Sequence, residues 1–175
     1  MPKAIFLDRD GVINRAVVRQ AKPYPPSDLS ELVIPDEVRT VLPRLKESGY
    51  HLIVVTNQPD VARGLQTKKR VEEINRFLLR ELPLDDILTC YHDAEAHCRC
   101  RKPNPGLILQ GAQQYHIDLA ASYLIGDRWK DIEAGQRAGC RTIFIDYEYN
   151  EKQPDNPDCR VNTLREAVSI ILNQR

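Results

Sequence analysis

The sequence predicts an α/β protein, a single-domain, doubly wound (Rossmann-like) parallel sheet. Three observations lead there. Short apolar runs end abruptly in acidic or polar groups, as strands buried on both faces do when they deliver side chains to a sheet edge. Between those runs lie segments whose apolar residues recur at helical spacing, so that strand and helix alternate. At 175 residues the chain fits one domain, 1–175, large enough to bury its own core.

The first run, Ala4-Ile5-Phe6-Leu7, is followed by Asp8-Arg9-Asp10-Gly11, two carboxylates two positions apart with a glycine behind them. Taken alone, that tetrapeptide fits a plain strand-ending turn equally well. Residues 15–32 carry Pro23, Pro25 and Pro26, which argue against a helix, and Arg15, Arg19 and Lys22. We expect a loop near the strand edge there, suited to substrate contact or simply solvated.

Val38, Val41, Leu42 and Leu45 mark a helix over 35–48, closed by Gly49. His51-Leu52-Ile53-Val54-Val55-Thr56-Asn57 is a second strand. Thr67 opens a helix that runs to Leu82, with Val71, Ile74, Phe77 and Leu78 on one face and Lys68, Lys69 and Arg70 on a solvated one. A short strand over 87–91 leads into a loop rich in cysteine. Asn104 and Pro105 open a helix to Tyr115, and 122–127 is a strand that again ends in a carboxylate, Asp127. A helix over 129–138 stopped by Gly139, a strand over 141–146, a surface loop over 147–157 and an amphipathic helix over 163–172 complete the chain.

The 25 basic and 25 acidic residues cancel, so no overall field would recruit nucleic acid or an anionic membrane, and any anion site must be local. No stretch approaches the roughly 18 apolar residues of a membrane span, and no signal-peptide pattern precedes the first strand. The expectation is a cytoplasmic, monomeric protein with a small-molecule substrate.

In a doubly wound sheet the strand ends converge on one crevice. Asp8, Asp10, Thr56, Asn57, Arg101, Lys102, Asp127 and Asp131 would meet there. Converging carboxylates repel one another unless a divalent cation sits among them, and hard oxygen donors suit Mg2+. With Lys102 and Thr56, such an ion would make a cradle for phosphate oxygens. Asp131, one helical turn beyond Asp127, fits a supporting role behind the ligands.

Cys90, His92, Cys98 and Cys100 offer three sulfurs and an imidazole at close spacing, a closed ligand set for structural Zn2+ in loop 90–100. His97 is the alternative imidazole, and a set of reduced thiols beside a surface histidine is the alternative to a metal. Cys140 reads as a core thiol. Because Arg101 and Lys102 directly follow the last ligand, a zinc clamp would aim both cations.

The order Asp8-x-Asp10, Thr56 at a strand end, Lys102, and Gly126-Asp127 with Asp131 resembles the haloacid dehalogenase (HAD) superfamily of phosphohydrolases across residues 4–146. The resemblance implies that Asp8 is a nucleophile forming an aspartyl-phosphate and that Asp10 is the acid/base. It also implies that Mg2+ is held by the Asp8 side chain, the Asp10 carbonyl and Asp127. Spacing between these motifs leaves no room for a large cap domain.

Within the superfamily, Asp8–Asn14, Thr56-Asn57-Gln58, Ala62-Arg63-Gly64, the cysteine loop and residues 100–106 resemble the heptose 1,7-bisphosphate 7-phosphatase family. That likeness implies a phosphorylated sugar substrate contacted by Thr56, Asn57, Gln58, Arg63, Arg101, Lys102 and Arg128, the last standing where the family usually has lysine. The histidinol-phosphatase family shares much of the pattern and is the alternative. A catalytically silent, zinc-stabilised binding module is a more distant one.

Overall fold

The computed structural model describes residues 1–173. In chain order the elements are β1 (Lys3–Leu7), β2 (Val17–Arg19), β3 (Lys22–Tyr24), α1 (Asp36–Glu47), β4 (Tyr50–Asn57), α2 (Lys68–Glu81) and β5 (Asp86–Cys90). They continue with α3 (Gly106–Tyr115), a 3-10 turn (Leu119–Ala121), β6 (Tyr123–Gly126), α4 (Trp129–Ala138), β7 (Arg141–Ile145), β8 (Cys159–Val161) and α5 (Leu164–Asn173).

Six strands form one sheet in the order β5-β4-β1-β6-β7-β8, with every neighbouring pair parallel. The chain winds outward from β1 through β4 to β5, then returns to the other side of β1 and winds outward again through β6, β7 and β8. The direction therefore reverses between β1 and β6, and open sheets bind ligands beside the carboxyl ends of the strands at that reversal.

The alternation of the strands splits the core in two. Ile5 and Leu7 of β1 join Leu52 and Val54 of β4 and Ile125 of β6 on one face, under α1, α2 and α5. Ala4 and Phe6 join Ile53, Val55 and Leu124 on the other, under α3 and α4. Each fully buried Val, Leu, Ile or Phe contributes roughly 1.5–3 kcal/mol, so these strand residues and the helix faces packed on them hold the sheet between its two layers.

The helices begin and end largely where their sequence signals lie. Thr67 accepts from the Arg70 amide at 3.3 Å, and Gly139 closes α4 at φ 86°. Asn104 departs from expectation, donating its side chain to the Cys98 carbonyl at 2.8 Å while α3 starts with no side-chain cap.

The strands β2, β3 and β8 and the 3-10 turn are not signalled by the sequence. The segment 15–32 contains the β2–β3 hairpin, whose turn residues Gln20 and Ala21 sit at φ 51° and 58° without a glycine or asparagine to signal it. The edge strand β8 is three residues long and, among the described residues, pairs only with β7. Among the described residues no cap domain interrupts the sheet, and no helix is long and apolar enough to cross a membrane.

Candidate active site

Leu7 pairs with Ile125 in the β1–β6 ladder, and the Asp8 amide donates to the Ile125 carbonyl at 3.0 Å. Asp8 therefore stands level with Gly126, one residue before Asp127, and the two carboxylates meet at the same edge of the sheet. Asp131, in the first turn of α4, completes a trio of buried carboxylates with oxygens within 4.8 Å of one another. Asp131 also accepts from the Arg128 amide at 3.0 Å, which fixes the start of α4.

Lys102 enters this trio from the loop after β5. Its Nζ donates to Asp8 Oδ1 and Val55 O at 2.6 and 2.7 Å and lies 2.6 Å from Asp131 Oδ1, so all three ammonium protons have an acceptor. Burial alone would push the ammonium pKa down, but Asp131 and Asp8 outweigh it and hold it above the ordinary lysine value. Asp8 is nevertheless pushed up to about 6, by burial and by the charge of Asp131 acting against the pull of Lys102.

Asp127 is different. Burial, then the charges of Asp8 and Asp131, push its carboxyl well above the usual range against the weaker pull of the Tyr149 hydroxyl and Lys102, and neither of its buried oxygens has a partner in good hydrogen-bond geometry. A buried carboxylate with no partner is costly, and a cation among Asp8, Asp127 and Asp131 would remove that cost. Gly11 at φ 103° leaves space beside it, because a Cβ there would lie 1.9 Å from Asp127 Oδ2. The donor set, all carboxylate oxygen, fits Mg2+.

The Asp10 carboxylate points elsewhere. Oδ2 accepts from Gln58 Nε2 at 2.7 Å, Oδ1 from Asn14 Nδ2 at 3.0 Å, and the Arg9 guanidinium reaches both oxygens at 3.1 to 3.2 Å. Thr56 and Gln58 are buried beneath the site, the Thr56 hydroxyl accepting from Gln58 at 2.9 Å.

Above this floor lies a cleft of about 530 Å³. Asp8, Asp10, Asn57, Arg63, Arg101, Lys102 and Arg128 line it, whereas Thr56, Gln58 and Asp127 do not. Asn57 is a clamp as much as a lining residue, since its amide donates to the Lys102 carbonyl and accepts from the Lys102 N–H, both at 3.0 Å. Arg128 forms a fork with Glu151, and Arg63 meets Asp60 at 3.4 Å. The hairpin residues Lys22 and Tyr24, with Trp129, Lys130 and Glu151, also line the cleft and carry no motif that marks them in the sequence.

The cysteine loop closes on itself. Cys100 Sγ lies 3.1 Å from Cys90 Sγ, 3.4 Å from Cys98 Sγ and 3.4 Å from His92 Nδ1, and Cys90 Sγ lies 3.7 Å from Cys98 Sγ. Tetrahedral thiolate coordination of zinc places sulfurs about 3.8 Å apart, so the cluster could hold zinc with little rearrangement. His92 is the imidazole in the cluster, and His97 lies outside it. Arg101 Nη1 donates to the His92 carbonyl at 3.2 Å, tying the cleft cation to the ligand loop. Cys140 is buried in the α3–α4 face of the core.

Sheet order and carboxylate cluster define a HAD-like hydrolase, and the comparisons agree. A HAD-hydrolase-like family model matches residues 99–167. A D-glycero-beta-D-manno-heptose-1,7-bisphosphate 7-phosphatase of Helicobacter pylori (strain J99) is 40% identical over 151 residues, 82% of each chain. One from Salmonella typhi is 37% identical over 98% of this chain and 96% of its own. The crystal structure of the D,D-heptose 1.7-bisphosphate phosphatase from B. bronchiseptica, complexed with magnesium and phosphate, superposes with a TM-score of 0.82 at 26% identity, covering both chains completely. The chain belongs to the D-glycero-D-manno-heptose 1,7-bisphosphate 7-phosphatase family of HAD phosphatases, and the enzyme is a phosphatase.

Proposed function

We propose that the whole chain acts as one catalytic domain that removes the 7-phosphate of D-glycero-D-manno-heptose 1,7-bisphosphate through an aspartyl-phosphate on Asp8. The observation that carries this reading is the pairing of Asp8 with Lys102 beside the orphaned Asp127 carboxylate. Asp8, Asp127 and the Asp10 carbonyl would hold Mg2+, which would supply charge neutralisation for the phosphoryl oxygens.

The rest falls to the chain's own residues. One Asp8 oxygen attacks phosphorus while the other stays engaged with Lys102. The bond from phosphorus to the sugar oxygen breaks, and Asp10 delivers a proton to that oxygen. Water then attacks phosphorus, passing its proton to Asp10, and the P–O bond to Asp8 breaks to release phosphate. Lys102 spreads the charge of the transferring group and keeps Asp8 aimed. Arg63, Arg101, Arg128 and Lys130 on the cleft wall suit the second phosphate of a bisphosphate, for which a guanidinium fork is the natural partner. Cys90, His92, Cys98 and Cys100 would hold structural Zn2+.

Phosphate release with Mg2+ should be compared for both anomers of heptose 1,7-bisphosphate and for histidinol phosphate by kcat/KM. A preference of roughly a hundredfold or more for either bisphosphate supports the reading, and a preference for histidinol phosphate overturns it. Asp8→Asn should fold normally and lose turnover, by about 10⁴-fold or more as for other covalent nucleophiles.

A further inference from the structure

Arg9 is fully buried, with no solvent exposure, although its two neighbours in sequence, Asp8 and Asp10, line the cleft. A buried guanidinium needs a partner for every edge. One edge grips Asp10, through Nε and Nη2. On the other, Nη1 donates to Asn75 Oδ1 at 2.9 Å, and Asn75 in turn donates to Thr89 Oγ1 at 3.0 Å. Asn75 lies in the second half of α2 and Thr89 on β5, so a buried chain of bonds runs from the sheet and helix into the carboxylate of Asp10. None of these three residues faces the cleft.

We propose that Asn75, acting through Arg9, is a positioning residue for the Asp10 carboxylate. The inference rests on the acid/base reading of Asp10 given above. A planar guanidinium held at its far edge can present its near edge to a carboxylate in one orientation only, whereas a freely rotating Arg9 could not. Asn75 is polar, buried and on the core-facing side of its helix, a position where leucine or alanine would otherwise serve. A polar residue at this position supplies the acceptor that the guanidinium behind Asp10 needs.

The test uses leaving groups of different basicity. An alkyl phosphate needs a proton as its P–O bond breaks, and p-nitrophenyl phosphate does not, so a misplaced Asp10 slows release of an alkoxide but leaves the burst of p-nitrophenolate intact. Asn75→Leu should lower kcat on an alkyl phosphate by between about ten- and a hundredfold at unchanged KM, with the p-nitrophenolate burst within about twofold of wild type. Asn75→Asp keeps the acceptor and should restore most of kcat. If Asn75→Leu fails to fold, Thr89→Val, which loses only the outer anchor, should show the same selective loss at smaller size. Equal losses on both substrates, or no loss in either variant, overturn the role of Asn75. Asp10→Asn is run alongside. If it shows no dependence on leaving group, the acid/base reading of Asp10 itself falls; if it does and the Asn75 variants do not, only the positioning proposal falls.

Discussion

Three residues at the cleft floor divide the work of holding charge out of water. Lys102 has spent every donor, Asp8 is half satisfied, and Asp127 has no partner in good geometry, only the Tyr149 hydroxyl nearby. The imbalance makes Asp127 the natural seat for a cation, and Gly11 the residue that keeps the seat clear. Gly11→Ala would push a methyl into Asp127 Oδ2 and force a side chain onto a φ of 103°. The expected cost is about 2–4 kcal/mol in stability and at least a tenfold rise in the Mg2+ concentration giving half-maximal phosphate release, measured by thermal melting and Mg2+ titration. A variant with wild-type Mg2+ dependence would remove Gly11 from the site. The carboxylates were legible because each ends an apolar run. The partners of Asp10 were not, because Arg9 reads as a motif filler and Asn75 is brought to it from 66 residues away.

At the scale of elements, the cysteine loop joins the sheet to the cleft. Asn57 at the end of β4 grips both backbone groups of Lys102, and Arg101 is tied to the His92 carbonyl. Chelating the Zn2+ proposed at Cys90, His92, Cys98 and Cys100, or introducing Cys98→Ala, should therefore lower kcat by about ten- to a hundredfold, with added Mg2+ failing to restore it. Far-ultraviolet circular dichroism should change little, because the helices and the sheet lie outside the loop. A chelated enzyme that turns over normally would show that Lys102 is held without the metal. This coupling could be read from sequence adjacency, since Arg101 and Lys102 follow Cys100 directly. The β2–β3 hairpin could not, because its Gln20-Ala21 turn lacks the residues that favour positive φ, and β8 is too short to show a period. The predicted strands and helices otherwise recur with their ends shifted by a residue or so, as expected where apolar alternation and capping residues coincide.

For the molecule as a whole, the acids set a dependence of stability on pH. Asp8, raised to about 6 from a usual value of 3.8, and Asp127, raised well above 3.8 by burial and by the charge of Asp8, hold protons more tightly in the folded state than in the unfolded chain. Without Mg2+, the fold therefore binds the extra protons above pH 3.8, and stability falls as pH rises through about 6. Added Mg2+ should reverse this above pH 6, by about 2.7 kcal/mol at a hundred times its dissociation constant. Urea unfolding across pH, with and without Mg2+, reads both effects; a stability indifferent to Mg2+ above pH 6 would argue against a cation at Asp8 and Asp127.

The β1–β6 ladder has a consequence for ion selection. Asp8 and Asp127 follow neighbouring strands with a stagger of one residue, so their separation is set by the strand spacing of about 4.8 Å together with that stagger, both held by backbone hydrogen bonds. The sheet thus works as a caliper whose setting belongs to the backbone ladder. Inserting one residue into either strand would turn its acid to the opposite face of the sheet, so the gauge is protected by the same alternation that fills the two halves of the core.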